Sequence, residues 1–171
     1  VLQSLNKSTE ARELLGGFLT RNPNAQRARM SYGRLLVGER RFEEAATTFA
    51  TLVEADDDAA DARYALAIVY MQLRNYKAAG ENFQSLVDRR QRRYAASYYL
   101  GQLAERDDKE EEALAAYRRV ERGEFALNAQ IRAANLLARQ KQLTSARSSL
   151  QNLRRLYPSE AVRLYRAEGD I

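Results

Sequence analysis

Small residues recur in this chain at a fixed spacing, and that period limits what it can fold into more than any other feature. Gly33, Ala67 and Gly101 are each 34 residues apart, and so are Ala11, Ala45, Ala79 and Ala113. Four residues after each of these alanines stands a large apolar side chain: Leu15, Phe49, Phe83 and Tyr117. Phe42 and Tyr76 open the corresponding segments, with Glu110 as the exception. After one deleted residue the pattern resumes as Ala134, Leu143, Ala146, Leu150 and Leu153. Three columns that keep one period describe a repeated supersecondary unit, each copy burying its apolar face on the next. Spacings of three and four within the unit are helical.

Physically, a small residue at Gly33, Ala67 or Gly101 lets the first helix of a hairpin approach the second closely. Ala45, Ala79 and Ala113 then face it, and the ring four residues later fills the next turn. The pairs Tyr32-Gly33 with Leu36, Leu66-Ala67 with Tyr70 and Leu100-Gly101 with Ala104, followed by Ala-x-x-x-aromatic, resemble the tetratricopeptide repeat; Pro23 and Pro158 stand where helices end. The resemblance covers essentially the whole chain. It implies an all-α fold, a right-handed α-solenoid of antiparallel helical hairpins. The chain departs from the family at the large first-helix residue, here Arg29, Arg63, Ser97 and Gln130. It departs again at the late small residue of the second helix, here Leu52, Leu86, Val120 and Leu153.

The period places complete repeats at 26–59, 60–93, 94–126 and 127–160. Residues 1–25 read as the tail of a first helix (Leu2, Leu5) and a second helix from Ser8 to Thr20. Residues 161–171 read as the first helix of another repeat, with Val162, Leu164 and Tyr165 lacking a partner helix. Natural arrays end in polar capping helices, so the expectation is a fragment of a longer array, able to self-associate through its cut ends.

Composition narrows the chemistry. The chain has no cysteine and no histidine, which removes disulfides, thiolate nucleophiles, thiolate or imidazole metal ligands and the commonest general base. No Gly-rich phosphate loop or nucleophile motif is present. The expectation is a non-enzyme with no cofactor, no metal and no catalytic residue. Asp56, Asp57 and Asp58 lack the spacing of a calcium loop and precede a helix, where acids cap and favour the positive dipole end. Ala65 to Met71, among the longest apolar runs, is far too short to span a bilayer.

Net charge is +5, unevenly spread. Repeat 26–59 carries five basic against seven acidic residues, and 60–93 seven against three. Repeat 94–126 carries five against eight, and 127–160 six against one. The alternation suggests complementary fields that fix the order of neighbours. The densest basic run is Arg89, Arg90, Arg92 and Arg93, at a turn between hairpins. To bind nucleic acid it would need aromatic or further basic neighbours on one surface, and acidic repeats flank it.

In a right-handed stack of such hairpins the first helices line the concave face. Residues three before and one after the small residue need not be apolar for packing: Met30 and Arg34, Tyr64 and Ile68, Tyr98 and Gln102, Ile131 and Asn135, then Tyr165, with Met71 further along the helix of Tyr64. Most are apolar, and such a row of rings and methionine makes a candidate groove for a partner protein or extended peptide. Tetratricopeptide domains that bind chaperone C-termini carry a Lys, Asn and Arg clamp. The matching positions here hold Met30, Arg34, Ala65, Ala95 and Tyr99, so that ligand is not expected. The segments Arg40-Arg41-Phe42-Glu43-Glu44-Ala45 and Arg163 to Asp170 are similar to long tetratricopeptide lipoproteins of the Gram-negative envelope. That likeness implies a lipid-anchored adaptor on the periplasmic side of the outer membrane, bringing substrates to a processing protease. The alternative is a helical repeat that binds nucleic acid; such arrays read bases with polar pairs, which the largely apolar row disfavours.

Overall fold

Among the described residues, ten α-helices are joined by short turns. They are α1 (Leu2–Arg21), α2 (Gln26–Gly38), α3 (Phe42–Ala55), α4 (Ala60–Gln72), α5 (Tyr76–Asp88), α6 (Arg93–Arg106), α7 (Glu110–Arg118), α8 (Ala126–Arg139), α9 (Leu143–Leu156) and α10 (Ala161–Gly169), with a 3-10 turn at Pro158–Glu160 before the last. The structure is a computed structural model describing residues 2–171, with side chains from Thr9 onward. No strand occurs among the described residues. The all-α repeat architecture expected from the period is the one observed. Where a helix tail with Leu2 and Leu5 was expected ahead of a second helix at Ser8, the backbone forms one helix, α1; those three side chains lie outside the described residues.

Two compact units divide the chain, residues 1–86 and 87–171. In the first, α1 packs on α2, α2 on α3 and α3 on α4. Its core gathers Leu36, Ala45, Phe49, Leu52, Ala62, Leu66 and Val69. In the second, α6 packs on α7, α7 on α8, α8 on α9 and α9 on α10, and α10 also touches α8. Its larger core joins Tyr98, Ala113, Leu114, Tyr117, Val120, Ala129 and Leu136. The late positions Leu52, Leu86, Val120 and Leu153, larger than the family pattern, are all buried.

The close approach at the first-helix glycines is made against rings rather than against the facing alanines. A Cβ on Gly33 would stand 2.7 Å from Phe49 Cζ, and one on Gly101 2.7 Å from Tyr117 Cδ1. Glycine is therefore what lets each ring come this close to the helix backbone.

Every turn inside a complete hairpin has the same geometry. Arg40, Arg74, Asp108 and Lys141 adopt φ of 60°, 57°, 55° and 62°. In the first, the Arg40 N–H donates to the Val37 carbonyl and the Arg41 N–H to that of Leu36. The other three copy it, with Asn75 to Tyr70, Lys109 to Ala104 and Gln142 to Leu137 as the bonds that span five residues. These are Schellman closures, which satisfy carbonyls that the helix end leaves open. The left-handed residue is usually glycine, and here it never is.

Two expectations need correction. The three aspartates do not cap α4: its N-cap is Ala59, with no side-chain cap bond. Asp56 accepts the Asp58 N–H in an Asx turn, and Asp57 takes the Arg63 guanidinium at 2.5 Å. Acids followed by an arginine six residues on favour the ion pair over a cap. The arginines in place of the family's large residue thus act as clamps on the preceding turn. Arg63 also donates to the Asp57 carbonyl, and Arg29, 34 residues earlier, to that of Pro23. Second, Leu164 does have a partner. It is fully buried with Ala134, Leu150, Leu153 and Ala167, because a first helix packs on the hairpin before it as well as the one after. Val162 and Tyr165 remain exposed.

Candidate functional site

Helix α4 carries the clearest candidate surface. Its Ala62, Arg63, Leu66, Ala67 and Val69 are buried, which orients the remaining positions. Tyr64, Ile68 and Met71, at spacings of four and three, share a face and are each half-buried. The Tyr64 ring meets Phe83 edge-on at 6.2 Å between centroids. A half-covered Tyr, Ile and Met on one helix face offers contact area without dismantling the hairpin. In the same unit Met30 is half-buried against the core cluster and Arg34 is exposed.

The second unit treats its candidates differently. Tyr98, expected on a groove floor, is a core residue at 7% exposure. Its ring stacks on Phe125 with centroids 4.6 Å apart and planes within 10°, and it also meets Tyr99 and Tyr117. Phe125 belongs to none of the periodic columns, so nothing at Tyr98's own position signals the burial. Gln102 is half-buried and Asn135 exposed. Ile131 packs against the cluster that buries Leu164. Tyr165 is 62% exposed, with the Arg154 guanidinium 4.2 Å from its ring centroid. The ten candidates fall five to each unit, and the contiguous set is the one on α4.

A polar network absent from the sequence reading ties α6, α7 and α8 together. The Tyr117 hydroxyl donates to Glu105, and Arg132 donates to the same carboxylate oxygen at 2.7 Å. Burial first, then the bond to Glu105, push the Tyr117 phenol far above its ordinary range. Burial works against the charge of Arg132, but Tyr117, Glu105 and a hydrogen bond with Tyr98 outweigh it and hold the guanidinium protonated. The partners stand 12 and 27 residues apart, off the repeat period, which hid them.

The basic run and its surroundings form a cavity of about 490 Å³ at the start of α6, lined by Arg90, Arg92, Arg93, Tyr94, Ala95 and the loop Arg122–Phe125.

Profiles of the tetratricopeptide repeat match residues 1–60, 33–91 and 64–128, and another of the same description matches 128–159. No curated protein matches the chain. Among solved structures, it is similar to YrrB, described as a TPR protein with an unusual peptide-binding site, with TM-score 0.73, 23% identity, and coverage of 92% of this chain and 81% of that one. MamA from Desulfovibrio magneticus RS-1 aligns with TM-score 0.75, 17% identity, and 93% and 92% coverage. A tetratricopeptide repeat protein from Parabacteroides merdae ATCC 43184 aligns with TM-score 0.79, 15% identity, and 98% and 66% coverage. The period, the glycines beneath aromatic rings and profile matches along nearly the whole length lead to one conclusion: the chain belongs to the tetratricopeptide repeat family.

Proposed function

We propose that this chain is a scaffold that binds a partner protein through an extended segment laid along its first helices, with Tyr64, Ile68 and Met71 as the principal contacts. Tetratricopeptide repeats generally mediate protein–protein interactions and are typically non-catalytic. The observation that carries the reading is the α4 face, where three large side chains stay only partly buried beside the buried Ala62, Leu66, Ala67 and Val69. Arg34 on α2 would supply a polar contact within the same unit, and Gln102, Asn135 and Tyr165 would supply polar and aromatic contacts within the second unit by itself. The wording of the repeats supports a more specific role, an envelope adaptor that brings substrates to a periplasmic protease.

Placing a photo-cross-linking amino acid at position 68 tests the reading, with position 84 on α5 as the control. A protein partner in native extract should be trapped from position 68 and not from position 84. Trapping from position 84 alone would move the site to the second helices.

A further inference from the structure

The arginine run satisfies a condition that the sequence alone left open. It has the ring of Tyr94 beside it on α6, and it gains another arginine, Arg122, and a second ring, Phe125, from a distant loop. Repeat 94–126 is one residue shorter than its neighbours, and its second helix α7 ends at Arg118 after nine residues, where α3 and α9 run for fourteen. The loop that follows turns at Gly123, φ 93°, and brings Arg122 and Phe125 to the cavity wall opposite Arg90, Arg92, Arg93 and Tyr94. Tyr94 is the hub. Arg93 donates to its hydroxyl at 2.6 Å, and that hydroxyl donates to Glu121. The Arg93 and Arg122 guanidinium groups lie 4.6 and 5.4 Å from its ring centroid.

Four arginines therefore line a cavity of about 490 Å³ against one acid, Glu124. The volume falls within the range of ligand sites, roughly 300–1,000 Å³. Guanidinium forks match carboxylates in bidentate geometry, and rings beside them accept an apolar neighbour in the ligand.

We infer that this cavity is a second recognition site, for an acidic segment of a partner protein in which carboxylates alternate with aromatic or aliphatic side chains. A nucleic-acid strand fits less well. Tracking a phosphate backbone needs a continuous basic groove, whereas Glu121 and Glu124 interrupt this one and the charge is gathered in a pocket. The site is separate from the α4 face and stands or falls independently of it.

Fluorescence anisotropy of a labelled peptide of alternating glutamate and phenylalanine, titrated with the full chain, tests the assignment. A glutamine-for-glutamate peptide and a single-stranded oligonucleotide serve as comparisons. Arg90→Gly, which relieves a left-handed residue, and Arg122→Gln, on an exposed bend, remove charge without opening the core. Together they should weaken the acidic peptide by about tenfold or more, since each bond to a charged group contributes enough for such a change. The glutamine peptide should bind at least about tenfold more weakly, and Tyr64→Ala should leave the acidic peptide's affinity unchanged. Unchanged circular dichroism confirms that each variant is folded. The inference is overturned if the acidic peptide does not bind saturably, if the double variant stays within about twofold of the parent, or if Tyr64→Ala alone abolishes binding. Tighter binding of the oligonucleotide by the same arginines would also overturn it, and would replace the peptide with nucleic acid.

Discussion

At the scale of single residues, the repeat pattern misled at one tyrosine and was silent about four turns. Tyr64 and Tyr98 are 34 residues apart and read alike, yet the first is only partly buried and the second is core. The difference lies in Phe125, which has no equivalent in the periodic columns and covers Tyr98. A column predicts a residue's surroundings only while every neighbour is also periodic. The Schellman turns were illegible for the opposite reason. Their geometry repeats faithfully, but the residues at the left-handed position, Arg40, Arg74, Asp108 and Lys141, carry none of the usual glycine signal. An L-residue there costs roughly 1–2 kcal/mol of strain, part of which glycine would return to the unfolded chain as entropy. Arg40→Gly and Arg74→Gly should therefore each raise stability by about 0.5–1 kcal/mol. The urea midpoint measures it, and an unchanged or lower midpoint would show that those arginine side chains contribute more than the strain costs.

At the scale of the element, alternating charge is matched by where ion pairs form. Arg63–Asp57, Arg132–Glu105 and Arg139–Glu110 each place the arginine in a basic repeat and the acid in the acidic repeat before it, at 2.5, 2.7 and 2.6 Å. An exposed pair such as Arg139–Glu110 contributes about 0–1 kcal/mol, so its value is register more than stability. The Glu105 site differs because it also holds the Tyr117 hydroxyl. The Tyr117 phenol is raised above its ordinary value of about 10 by burial and by Glu105. Below that pH the residue is protonated whether the chain is folded or not. As pH rises past about 10 the unfolded chain alone releases the proton, so the contribution to stability is full below this window and is lost through it. Denaturation followed from neutral pH to above about 10 should show a steeper loss in the parent than in Tyr117→Phe. Equal slopes would mean that the hydroxyl is not held by Glu105.

At the scale of the whole molecule, the period alone carried the class of fold, because each hairpin needs only its neighbours to be complete. It also located the α4 face, where the small-residue and alanine columns account for the core and leave Tyr64, Ile68 and Met71 over. It did not carry the arginine cavity, which lies where the period breaks, where α7 ends early and the 119–125 loop follows it. Chemistry that depends on irregularity has to be read from coordinates. The α4 face is proposed to bind protein while the rings of the cores hold the fold. Titrating the cross-linked partner, once identified, against Tyr64→Ala at physiological salt tests it most directly. An affinity loss of about 1–3 kcal/mol is expected, with a fall in stability well below the roughly 3–5 kcal/mol expected for Phe49→Ala or Tyr98→Ala. Unchanged affinity, or unfolding as severe as that of the core variants, would contradict it.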